Sequence, residues 1–231
     1  DVMSAFSNIR LHPDSRPYTA FSIPGLGQFE LLSLPHGLVT SSQAYLRLTD
    51  FLIGDLQSAT EEGVALVSYV DDYLIGGATP EKNLAMLRRV MERVRGGWLR
   101  ISARKVTLFA KSAIFLSHVF EEGGYRPDPS RVAAIVEVPR PRCLKDVRSF
   151  VGCVNYFRSW IPRLGALVKH LTELTRKGVA FKWGAEQEKA FVAIKGLLAE
   201  ATNLTYPDFS LPLLVYADSS CDHLGGMLAQ E

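Results

Sequence analysis

The chain has 231 residues, 47% of them hydrophobic, and a formal net charge of +2. That length fits one large or two small domains with a well-supplied core, and excludes a disordered chain. No apolar run is long enough to span a bilayer, no signal peptide is visible, and three widely spaced cysteines exclude a disulfide framework or a structural zinc, in keeping with a reducing compartment.

Residues 1–35 read as short strands and turns, beginning with an alternating strand at Asp1 and punctuated by Pro13, Pro17, Pro24, Gly25 and Gly27. Pro35-His36-Gly37 leads into a predicted helix over 41–57. Next, Val64–Val70 and Tyr73–Ile75 flank two adjacent carboxylates, Asp71 and Asp72, and read as a β-hairpin with the acids at its tip. Two neighbouring acids repel each other, and a plain turn prefers Asn-Gly or Asp-Gly. A hard cation such as Mg²⁺ held between them would remove that conflict. Asp is also common in turns for its own backbone bonding, so the pair alone leaves both readings open.

Thr79-Pro80-Glu81 carries an N-cap hydroxyl, Pro at the first helical position and an acid in the first turn, so a helix starts there. Leu84, Leu87, Val90, Met91 and Val94 make its apolar stripe and Gly96-Gly97 ends it. Strands are predicted at 98–102, 105–109 and 113–120. Between Arg88 and Lys111 stand eight Lys or Arg against one acid, Glu92. The block reads either as a track for phosphates or as a solvated helix face.

The composition shifts at Glu121-Glu122-Gly123-Gly124. A short helix follows Pro127-Asp128-Pro129, and Leu144, Val147, Phe150, Val151, Val154 and Phe157 predict an amphipathic helix that stops before Pro162. A further helix is predicted over 185–201, then a strand from Leu211 to Ala217 ending at Asp218. The chain opens at Asp1 rather than Met and reads as a segment of something longer.

Several motifs occur in one order: Asp1-Val2-Met3-Ser4-Ala5-Phe6 with Ile9, Tyr18-Thr19-Ala20-Phe21, Leu34-Pro35-His36-Gly37-Leu38, Tyr69–Asp72, Lys105, Phe115-Leu116-Ser117-His118, Phe150-Val151-Gly152, Asn155-Tyr156-Phe157-Arg158, Phe181-Lys182-Trp183 and Tyr216-Ala217-Asp218-Ser219-Ser220. Together, over essentially the whole chain, they resemble the reverse transcriptase of gypsy-like LTR retrotransposons and retroviruses. The resemblance implies an α+β fold: palm and partial fingers with an antiparallel sheet and packed helices over 1–122, a thumb or connection segment over 123–180, and the start of an RNase H-like domain over 181–231. It implies RNA-directed DNA polymerase activity on an RNA or DNA template with a primer and deoxynucleoside triphosphates. Asp1, Asp71 and Asp72 would be the catalytic carboxylates holding two Mg²⁺, with Mn²⁺ as substitute.

By the same resemblance Phe6 is the steric gate under the sugar, where a core aromatic is the alternative. His36 sits at a nucleotide contact that is commonly Gln or Phe. Ser42 replaces a Pro in the supporting helix. Lys105 lies near the nucleotide, although a surface lysine reads the same way. Leu116, Ser117 and His118 form the primer grip, where Ser117 replaces a Gly, and Arg158 is a candidate phosphate contact. Tyr156 and Trp160 are explained equally by packing. Asp218 matches the first RNase H-like carboxylate. That site needs four acids, so neither RNA cleavage nor, lacking the basic fingers segment, more than weak polymerase activity is expected of the chain alone. The implied parent is a polyprotein with protease, RNase H and integrase, cytoplasmic and assembled in virus-like particles. Two other readings stand beside this one: an inert relic or nucleic-acid-binding remnant, motivated by His36, Ser42 and Ser117, and an RNA-dependent RNA polymerase, against which Phe6 and the RNase H-like start argue.

Overall fold

The computed structural model describes residues 2–58, 63–219 and 224–230. The chain forms two compact units, Asp1–Ala110 and Lys111–Glu231.

In the first unit a short hairpin, β1 (Phe21–Ile23) and β2 (Gly27–Phe29), stands exposed, with Phe21 stacked on Phe29 across the pair. It is preceded by two 3-10 turns, Phe6–Asn8 and Pro13–Thr19. α1 (Ser41–Ser58) then leads to a second hairpin, β3 (Val64–Tyr69) and β4 (Asp72–Gly77), and to α2 (Pro80–Gly96). β3 alternates buried Val64 and Leu66 with exposed Ala65 and Val67, the period-2 signature of a strand covered on one face. That face meets Tyr45, Ile53 and Leu56 of α1 and Met86, Val90 and Val94 of α2. α2 begins as its sequence dictates: the Thr79 hydroxyl accepts from the Lys82 N–H and Pro80 fills the first turn.

Of the two glycines that end α2, Gly97 is closely packed. Gly97 has an ordinary φ of −82°, but any Cβ there would collide with the Leu52 side chain. The left-handed residue is Trp98, at φ +60°.

The second unit holds an antiparallel sheet in the order β5 (Ser112–Phe115), β6 (His118–Glu121), β7 (Gly124–Pro127), β8 (Leu204–Thr205). Its helices are α3 (Pro129–Val136), α4 (Leu144–Tyr156), α5 (Leu164–Glu173) and α6 (Ala185–Ala199). Their apolar stripes meet in one core, with Val147, Phe150 and Val154 of α4 against Leu171 of α5 and Phe191, Ile194 and Leu198 of α6. The Phe150 and Phe191 rings lie 4.6 Å apart. A last hairpin, β9 (Leu214–Ser219) and β10 (Leu224–Ala229), closes the chain. Every strand pair described is antiparallel and the helices pack into cores of their own, so the α+β expectation holds.

Several expected strands take another form. No strand begins at the N-terminus among the described residues: Val2 makes a single bridge to Ile101 before the chain turns into a 3-10 helix at Phe6. Residues 98–102 share only that bridge, because Trp98 turns the backbone left-handed. Residues 105–109 are not a strand either. A 3-10 turn, Ala103–Lys105, opens the segment and Phe109 sits at φ +51°. The predicted strand 113–120 is two strands, β5 and β6, joined through Leu116 and Ser117.

Candidate active site

Tyr69 pairs with Asp72 in the β3–β4 ladder, so the connecting turn is only two residues, Val70 and Asp71. Asp72 is thus the first residue of β4 rather than part of the loop. Val70 has φ +52°, which is costly for a β-branched side chain. The turn is held from outside as well: the Val2 N–H donates to the Asp71 carbonyl at 2.9 Å, and the Met3 N–H to that of Arg100 at 2.7 Å. The segment following Asp1 therefore runs beside the carboxylate turn. Asp1 itself lies outside the described residues.

Asp71 is half-buried and Asp72 exposed, and neither is in an ion pair with a Lys, Arg or His among the described residues. Behind them are two phenols that sequence reasoning did not single out. Tyr45, fully buried on α1, has its ionisation pushed up first by burial, then by Tyr73 and by the Asp71 charge. Tyr73 is pushed up by burial and by Asp71, and lowered in part by its hydrogen bond with Tyr45. The Tyr45 hydroxyl lacks a well-aligned partner, so this phenol–phenol contact is loose. Both phenols stay protonated at neutral pH and line the acidic turn without adding charge to it. The signal that could have found them is position: Tyr73 directly follows the two acids, and Tyr45 lies on the core face of α1.

Phe6 joins this group. Its ring meets His36 edge-on, with centroids 4.8 Å apart and planes at 89°, and meets Tyr45 at 5.6 Å. The encounter is built by pairing of the segments around residues 9–11 and 32–34: the Leu11 N–H donates to Leu32 and the Leu34 N–H to Ile9. Ser41, at the head of α1, then ties its hydroxyl to the Pro35 carbonyl at 2.7 Å. Ser42 sits in the first turn of α1, where a backbone N–H has no helical partner and Ser or Pro fits equally. The first unit thus brings Phe6 and His36 together and links them through Tyr45 and Tyr73 to Asp71. Lys105 lies four residues beyond the Val2–Ile101 bridge, exposed in its 3-10 turn. Among the described residues no three His, Cys, Asp or Glu converge on a metal position, Asp1 being outside them.

In the second unit, Phe115 pairs with His118, which leaves Leu116 and Ser117 as another two-residue turn, at φ +48° and +58°. Two left-handed non-glycine residues in succession cost about 1–2 kcal/mol each. The turn is fastened at both carbonyls: the Tyr156 hydroxyl donates to Leu116 at 2.6 Å and the Asp128 N–H to Ser117 at 2.9 Å. The His118 ring stacks on Trp160 at 5.1 Å and leans on Tyr156 at 5.4 Å. Burial lowers its pKa, partly offset by a hydrogen bond to the Leu116 backbone. Arg158 begins a 3-10 turn, Arg158–Trp160, and is exposed. Asp218 falls in β9 opposite Gly225.

Residues 1–120 match the family described as reverse transcriptase (RNA-dependent DNA polymerase), and residues 183–231 match an RNase H-like domain found in reverse transcriptase. The chain belongs to the reverse transcriptase family. Over its whole length it is 31% identical to the retrovirus-related Pol polyprotein of transposon 412 from Drosophila melanogaster and 29% identical to that of transposon gypsy from the same fly. It is also 31% identical to the Gag-Pol polyprotein of woolly monkey sarcoma virus. It spans 18%, 23% and 14% of those proteins, respectively.

The foamy viral protease-reverse transcriptase, solved in complex with double-stranded DNA, superposes on 95% of this reverse transcriptase segment with a TM-score of 0.82 at 25% identity, over 38% of the viral chain. The same viral protein in complex with an RNA/DNA hybrid gives 0.78, over 29% of its chain. Among the described residues of this segment no helix is long and apolar enough to cross a membrane.

Proposed function

We propose that this chain is part of a retroelement RNA-directed DNA polymerase that extends a primer on an RNA or DNA template from deoxynucleoside triphosphates. The observation that carries the reading is the Val70-Asp71 turn, which presents Asp71 and Asp72 at one end of a hairpin while the backbone beside Asp1 is bonded to it. Family membership and the foamy viral complexes with duplex nucleic acid support it.

The donor set suits Mg²⁺. Asp71 and Asp72 offer hard oxygens without a competing cation among the described residues, and Asp1 is the residue preceding the bonded Val2. These three would hold the ions, for which Mn²⁺ can substitute. Bound there, the ions would lower the pKa of the primer 3′-hydroxyl and neutralise charge on the transferred and leaving phosphates. The chain's own residues do the rest. Phe6, fixed at its edge by His36 and backed by Tyr45, supplies a flat apolar floor for the nucleotide sugar that excludes a 2′-hydroxyl. His36 closes one side of that floor, and Lys105 supplies a cation for the triphosphate. The turn at Leu116-Ser117 presents backbone to the primer, and the exposed arginines from Arg88 to Arg104 follow nucleic-acid phosphates. The parent would be a Pol polyprotein working in cytoplasmic virus-like particles.

The test is Mg²⁺-dependent primer extension by the chain, alone and joined to its flanking polyprotein sequence. Asp71→Asn should lower extension by about two orders of magnitude or more, since loss of one charge-stabilising group at a reacting centre costs about 10²–10³, while leaving the circular dichroism spectrum unchanged. Undiminished extension by Asp71→Asn would falsify the assignment.

A further inference from the structure

The turn at Leu116-Ser117 is an unfavourable conformation that something must hold. Leu-Ser is not a sequence that chooses two successive left-handed residues, which normally call for Asn-Gly or Gly-Gly. Strain of this kind persists where the surroundings over-determine it. Of the two bonds that hold the turn, the one from the Asp128 N–H is backbone, set by the helix start at Pro129. The other is a single side-chain hydroxyl, that of Tyr156 at the last residue of α4, at 2.6 Å from the Leu116 carbonyl across forty residues of sequence. Packing does not require that hydroxyl: Tyr156 is half-exposed, 51%, and its ring already leans on His118 and meets Phe157 edge-on.

We propose that Tyr156 is a positioning residue for the primer terminus, its hydroxyl holding the Leu116-Ser117 turn in the conformation that presents backbone to the primer. The proposal rests on the polymerase reading above. Tyr156 touches neither primer nor nucleotide and acts only through the Leu116 carbonyl. The left-handed φ angles of Leu116 and Ser117 are the cost that the hydroxyl helps to offset. A glycine at 117 would adopt its φ freely and remove one of the two costs, at least as much as one hydrogen bond contributes.

The experiment measures binding of the chain to two labelled duplexes by fluorescence anisotropy. One has a recessed primer 3′ end and the other is blunt. Tyr156→Phe keeps the ring, and so keeps its contacts with His118 and Phe157. It should weaken binding of the recessed end about fivefold, the factor that one neutral hydrogen bond carries, and change the blunt duplex less than twofold. Adding Ser117→Gly should restore the recessed end to within twofold of the original protein. Unchanged binding by Tyr156→Phe, or an equal loss on both duplexes, overturns the role. So does a selective loss that Ser117→Gly leaves unrestored, since the hydroxyl would then act on the primer directly. No binding of either duplex by the unsubstituted chain overturns the polymerase reading itself, which separates that failure from a failure of Tyr156.

Discussion

His118 shows how one residue's surroundings set its chemistry. Its imidazole lies between Trp160 and Tyr156, and burial keeps it neutral to a lower pH than a solvated histidine. The unfolded chain takes up the proton first, as the pH falls through the ordinary 6.5. The stability contribution is therefore full above that pH and is lost as the pH falls toward the lower folded-state value. The denaturant midpoint followed by Trp fluorescence should fall between neutral pH and about pH 5, and His118→Gln should flatten that fall. At this scale the sequence was partly legible. The two acids were conspicuous because a turn has no reason to pair like charges. Leu116-Ser117 gave no turn signal, because the force that bends it comes from Tyr156 and Asp128, remote in sequence.

Elements whose cause is local were readable, and those whose cause is tertiary were not. α2, α4 and α6 follow their apolar spacing closely, and α2 its Thr79 cap as well. The segments at 98–102 and 105–109 have strand-like composition, yet a strand exists only when a neighbour pairs with it, and each is stopped by a left-handed residue. α5 was missed because the residue that opens it, Arg163, is left-handed at φ +56°, a start that nothing in the local sequence announces. The helix stripes carry the packing of the second unit. Phe150 is 2% exposed and its ring meets Phe191 at 4.6 Å. Phe150→Ala should destabilise that unit by about 3–5 kcal/mol, the usual cost of emptying such a site, measured by urea unfolding.

Across the whole chain, the two cores share no residue: one runs from Val2 to Leu99, the other from Ile135 to Leu198. Native-state hydrogen exchange in rising denaturant should sort core amides into two classes, with Ile53, Leu56 and Val90 opening at one free energy and Val147, Val154 and Ile194 at another. One common value for all six would mean that the chain opens as a single cooperative body. Glu121-Glu122-Gly123-Gly124, where the composition shifts, closes β6 on β7, with Gly123 at φ +84°. A run of turn residues marks a reversal of the chain, and only the pattern of burial on either side says whether a core ends there.

The β3–β4 hairpin has a genetic consequence. Its strands are joined by two residues, and along β3 buried Val64 and Leu66 alternate with exposed Ala65 and Val67. One codon gained or lost between Leu66 and Asp71 would put the buried pair Val64 and Leu66 out of step with the carboxylates, so that either the pair turns toward solvent or the carboxylates swing to the opposite face of the ribbon. Substitutions at exposed Ala65 or Val67 would be borne easily by comparison. Among related sequences, the hairpin should tolerate spelling changes but hardly any change of length, whereas the exposed β1–β2 hairpin, which buries none of its strand residues, should accept both.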